Sequence, residues 1–68
     1  MKISARNILK GTVVEIKKGQ VMAEVVLDVN GQKIISVITE DAIEELALKE
    51  GSVAFAIIKS TEVLLMAE

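Results

Sequence analysis

A chain of 68 residues with neither Cys nor His has room for one small core and cannot reinforce it with disulfides or the usual zinc, iron and copper ligand sets. Half of the residues are hydrophobic (51%), yet Phe55 is the only aromatic, and ten acidic against eight basic residues leave a net charge of −2. These features disfavour duplex nucleic acid, which needs a basic stripe, single strands, which need several stacking rings, and the nucleophile–base pairs built on His or Cys.

The opening residues 1–6 carry positive charge but no apolar stretch behind it, so they do not read as a signal peptide. The longest apolar run, residues 53–58, is far too short for a bilayer, and a cytoplasmic protein with no membrane partner is expected. Residues 8–17 alternate as a first strand, with Ile8, Lys10, Thr12, Val14 and Ile16 on one face and Leu9, Gly11, Val13 and Glu15 on the other. Lys17-Lys18-Gly19-Gln20 forms a turn. Residues 21–29 give the clearest strand, a period of two held over nine positions. Asn30-Gly31 then predicts a type I′ hairpin turn, where both central residues need positive φ, and residues 33–38 return as the third strand.

Thr39 is a candidate N-cap, with Glu40 and Asp41 in a first turn where the helix dipole favours carboxylates. Ala42, Ile43, Leu46 and Ala47 recur at helical spacing, which predicts about two turns closed by residues 48–52. Residues 53–59 and 63–67 are predicted as two last strands around Ser60-Thr61-Glu62. The order β-β-β-α-β-β is that of an all-β, five-stranded OB-like barrel with one short helix between the third and fourth strands, a single domain over residues 1–68. Met1 at the start and Glu68 just past the last strand read as a stand-alone chain. Apolar residues fall on both strand faces, and Val14, Val26, Ile34 and Ile38 are expected on a second face that would join copies into an oligomer.

No enzyme is expected. The paired carboxylates Glu40-Asp41 and Glu44-Glu45 fit the polar side of a short helix better than a glycosidase pair, and no Gly-rich phosphate loop occurs. What remains is a set of hydrogen-bond donors near strand ends: Ser4, Ala5 and Arg6 before the first strand, Thr39 before the helix, and Lys59 and Ser60 after the fourth strand. Hydroxyls, backbone N–H groups and cations suit an ionised tetrahedral oxyanion, which has only acceptors. Each feature also has a plain reading as turn chemistry, a cap or surface charge.

Ser4-Ala5-Arg6-Asn7 followed by an apolar pair, Lys10 and Gly11 resembles the opening of the molbindins, the Mop/TOBE-type molybdate-binding domains. Further similarities are Lys17-Lys18-Gly19, Ala23-Glu24-Val25, Ile38-Thr39, Leu48-Lys49-Glu50-Gly51 and Lys59-Ser60-Thr61-Glu62-Val63, so the likeness spans the chain. It implies cytoplasmic molybdate or tungstate binding for storage and homeostasis, without catalysis or other cofactor. It also implies a homohexamer, a trimer of dimers paired by strand exchange or augmentation, with oxyanions between subunits. Ser4, Ala5 and Arg6 would bind from one chain, and Thr39, Lys59 and Ser60 from a neighbour. Related sites often carry a Ser three positions after the equivalent of Thr39; here Ala42 stands there, one side-chain donor fewer. A second class of site near the threefold axes is assigned to Asn7, Gly19, Gln20, Val21 and Met22. The alternatives are an OB-like interaction module and a nucleic-acid-binding one, neither with oxyanion specificity.

Overall fold

The computed structural model describes residues 2–68. Its elements are β1 (Asn7–Lys18), β2 (Met22–Val29), β3 (Gln32–Thr39), α1 (Glu40–Leu46) and β4 (Val53–Ile58), followed by a 3-10 turn (Ser60–Glu62). The strands form one antiparallel sheet in the order β3-β2-β1-β4.

β1 is the spine. Its first half pairs with β4, from Asn7 opposite Ile58 to Thr12 opposite Val53. Its second half pairs with β2, from Thr12 opposite Asp28 to Lys18 opposite Ala23. A bulge between Val13 and Glu15 inserts Val14 as the extra residue, which bends the strand between its two partners. Gly11 is buried at the crossover: a Cβ there would stand 2.8 Å from the Asp28 carbonyl oxygen and 2.9 Å from Val29 Cγ2. Only a residue without a side chain lets β2 approach this closely.

Alternation along β1 and β2 directs Val13, Ala23, Val25 and Leu27 to one face, where Ile43 of the helix covers them. The hairpin turn is built as its residues dictate, with φ 51° at Asn30 and 87° at Gly31, and Asp28 Oδ1 accepts from Gly31 N–H at 2.9 Å. At the helix start, Thr39 Oγ1 accepts from Ala42 N–H at 3.0 Å. At its end Ala47 is left-handed (φ 53°), and Ala47 and Leu48 N–H donate to the Glu44 and Ile43 carbonyls, a Schellman closure.

Two expectations are corrected. The sheet has four strands, not five: after the 3-10 turn, residues 63–68 form no strand. Leu64, Leu65 and Met66 are 93%, 94% and 97% exposed. Their apolar character is that of a strand, but among the described residues the segment pairs with neither of the sheet's edges. Secondly, Ile34 and Ile38 pack against the core, whereas Ile35 and Val37 on the opposite parity of β3 stand open at 56% and 60%. Two adjacent isoleucines leave the parity of this strand ambiguous, and the pairing of Leu27 with Ile34 decides it. The outer β3 edge and the outer β4 edge are both unpaired among the described residues. An apolar groove of about 630 Å³, with Leu27, Ile34, Ile38, Leu48, Ala54 and Ala56 in its walls, lies between these strands.

Candidate functional site

Strand register sorts the candidate donors into two groups. The last rung of the β1–β4 ladder is Asn7 opposite Ile58. Arg6 and Lys59 adjoin that rung in sequence, and Ala5 and Ser60 come one position further along each segment. Ser4, Ala5, Arg6, Asn7, Lys59 and Ser60 therefore gather at one end of the sheet. Asn7 Nδ2 donates to the Ile58 carbonyl at 3.2 Å and ties the two segments together. Lys59 leads into the 3-10 turn, its carbonyl accepting from Glu62 N–H at 2.9 Å.

Electrostatically this end is unbalanced. The ion pairs among the described residues are Lys17–Glu24 at 3.7 Å and Lys33–Asp28 at 4.0 Å, so Arg6 and Lys59 have no carboxylate partner there. Two exposed cations, two hydroxyls and backbone N–H groups at the end of a ladder make a donor-rich surface.

The other group lies at the far end. Thr39 pairs with Met22, and these residues are close to Lys18 at the C-terminal end of β1. Gly19 N–H donates to the Met22 carbonyl at 2.9 Å, and Glu40 N–H donates to the Val21 carbonyl at 2.8 Å. Gly19, Gln20, Val21, Met22 and Thr39 thus form one corner. Twelve residues of β1 separate the two corners, on the order of 35–40 Å along a strand that rises about 3.3 Å per residue. Thr39 does not join Arg6 and Lys59 within one chain, and Asn7 stands with them rather than with Gly19 to Met22.

The Thr39 corner is more acidic. Glu40 and Asp41 occupy the first helical turn, and Glu40 Oε2 is buried without a hydrogen-bond partner. The Thr39 hydroxyl oxygen already accepts from Ala42, which leaves its proton free to donate elsewhere. Ala42 N–H is consumed by the same bond, so it does not replace the side-chain donor missing at that position.

Sequence reasoning missed the Asn7–Ile58 tie, because a carbonyl leaves no trace in composition and the two residues are 51 positions apart. It also missed the exposure of residues 64–66, since a predicted strand was assumed to find its partner within the chain.

The TOBE domain profile matches residues 3–65. Molybdenum-pterin-binding protein 1 of Clostridium pasteurianum is 56% identical over 68 residues, covering 98% of this chain and all of the relative. Among solved structures, a molybdate-binding protein from Sporomusa ovata superposes with a TM-score of 0.94 at 43% identity, over 98% of this chain and 100% of that one. The cytoplasmic molybdate-binding protein ModG, in a form with molybdate bound, gives a TM-score of 0.85 at 49% identity, over 88% of this chain and 43% of its own.

Proposed function

We propose that this chain, which belongs to the TOBE domain family, binds molybdate as an intact oxyanion between copies of itself and serves as a cytoplasmic store or buffer. The observation that carries the reading is that Arg6 and Lys59 flank the last rung, Asn7–Ile58, with no carboxylate to pair them among the described residues. Their two positive charges offset one dianion. Ser4, Ser60 and the Ala5 backbone add donors without adding charge. The similarity to molybdate-binding proteins over nearly the whole chain supports the choice of anion.

Selectivity follows from donor geometry. Molybdate and tungstate are dianions of nearly equal size, so a purely hydrogen-bonding site holds both. Sulfate is smaller and leaves donors unmatched, at about 1–3 kcal/mol for each one that is buried. Phosphate carries a proton near neutral pH, and a donor-only site offers it no acceptor.

A second copy completes the site. Thr39 reaches the Arg6–Lys59 end only from a neighbouring chain, as the two corners lie at opposite ends of β1. The same neighbour accounts for the apolar arm at residues 63–66, which fits the groove between β3 and β4 of another copy as its missing strand. A homohexamer, a trimer of dimers, satisfies both requirements. The Gly19 to Met22 corner is the proposed second class of site. No catalytic step, nucleic acid or membrane enters this account.

A molybdenum–pterin, as in the names of the relatives, is a rival cargo. The absence of stacking partners disfavours it: Phe55 is the only ring, and it lies on β4 opposite Lys10, three residues before the last rung. A nucleic-acid-binding module fails on the same scarcity of rings and on the net charge of −2.

Titration calorimetry tests the reading. Molybdate and tungstate should bind at least about tenfold more tightly than sulfate or phosphate, the equivalent of one unmatched donor. Arg6→Ala should remove most of that affinity. Equal binding of sulfate defeats the proposal, and tighter binding of a pterin than of bare molybdate favours the rival.

A further inference from the structure

Four side-chain hydrogen bonds occur among the described residues, and three of them are local. Asp28 with Gly31, Thr39 with Ala42, and Ser52 with Lys49 each span three positions and shape a turn or a cap. The fourth, from Asn7 Nδ2 to the Ile58 carbonyl, spans 51 positions and sits at the rung where the β1–β4 ladder stops. Just beyond that rung come the candidate donors: Ser4 and Arg6 on one side, Lys59 and Ser60 on the other, all exposed.

We propose that Asn7 is a positioning residue that fastens the Ser4–Arg6 segment to the Lys59–Ser60 segment and so pre-sets the oxyanion site. The inference rests on the anion-binding reading above and adds to it a residue that need not touch the ligand. Two cations that both adjoin the last rung, with no carboxylate partner among the described residues, repel each other in the ligand-free protein. A side-chain amide bridging the last rung opposes that separation and keeps the donors near the spacing the anion requires, so less ordering remains to be done on binding. The clamp uses one N–H of the amide, committed to Ile58, and the side-chain oxygen is an acceptor that an acceptor-only anion cannot use; the second N–H stays free, and the clamp does not depend on it.

The test compares wild type, Asn7→Ala and Asn7→Gln by molybdate calorimetry, ligand-free thermal unfolding and amide hydrogen exchange. Asn7→Ala should bind molybdate about tenfold more weakly, the equivalent of one net hydrogen bond. Asn7→Gln, which keeps the amide, should bind more tightly than Asn7→Ala. In ligand-free Asn7→Ala the Arg6 and Lys59 amides should exchange faster than in wild type while core amides such as Val25 do not change. A variant that melts earlier yet binds molybdate as wild type does has lost only a structural bond, and the proposal is then wrong. If wild type itself fails to bind molybdate, the functional reading falls, and the exchange comparison alone decides the clamp: equal exchange at Arg6 and Lys59 in both proteins overturns it. Should Asn7→Ala not fold, the side-chain NH2 of Asn7 in ligand-free wild type decides instead. Slowed solvent exchange supports the clamp, and free exchange refutes it.

Discussion

Thr39 stands opposite Met22 at the end of the β2–β3 ladder, and its hydroxyl oxygen accepts the Ala42 N–H at 3.0 Å. The proposed function asks this one side chain both to cap a helix with its oxygen and to offer its proton to an anion held by another chain. Thr39→Ala should lower stability by about 1 kcal/mol through the lost cap and should also weaken molybdate binding. Thr39→Ser should preserve both. Urea unfolding and calorimetry on the three proteins separate the two effects, and unchanged affinity in Thr39→Ala removes this residue from the donor set.

At Gly11, β2 packs against β1 with no room for a side chain. A methyl group there meets the Asp28 carbonyl oxygen at 2.8 Å and Val29 Cγ2 at 2.9 Å. The strands must separate, so Gly11→Ala should destabilise the protein by about 1–3 kcal/mol. A thermal unfolding midpoint equal to that of wild type contradicts this account of the crossover.

Ala47 closes the helix in the left-handed region at φ 53°, where a Cβ is strained. Ala47→Gly should raise stability by about 0.5–1 kcal/mol, since relief of the strain outweighs the greater freedom glycine has when unfolded. Chemical denaturation is the measurement, and a loss of stability refutes the strain argument.

Local chemistry made much of this fold legible in the sequence. Asn30-Gly31 announced its turn because few residues tolerate two consecutive positive φ values, and both are present. Thr39 announced its cap for an equally local reason. What failed was non-local. The parity of β3 could not be read from Ile34-Ile35, where either isoleucine serves the core, and only pairing with β2 settles it. Residues 63–67 have the composition of a strand, but composition does not supply an edge. The candidate donors stand out by residue type, yet their division into two corners depends on the strand registers, which spacing along the chain does not encode.

The exposed arm gives the assembly its own test. Replacing Leu64 and Leu65 together by Ser removes apolar surface that is 93% and 94% exposed in the single chain, so the fold itself should be little affected. Burial of these residues in a partner predicts that wild type sediments as a hexamer and the double variant as smaller species. A wild-type monomer, or a double variant that assembles as wild type does, argues against exchange of the arm.

Mixing two defective chains tests the central claim most directly. Arg6→Ala and Thr39→Ala variants are unfolded together, refolded as mixed assemblies and titrated with molybdate. If each site takes Arg6 from one copy and Thr39 from another, random mixing restores both donors in about a quarter of the sites, and these should bind as wild type does. Mixed assemblies with no restored sites would mean that both residues come from the same chain, and wild-type binding at about half of the sites would mean that Thr39 does not serve the anion; either result contradicts the account.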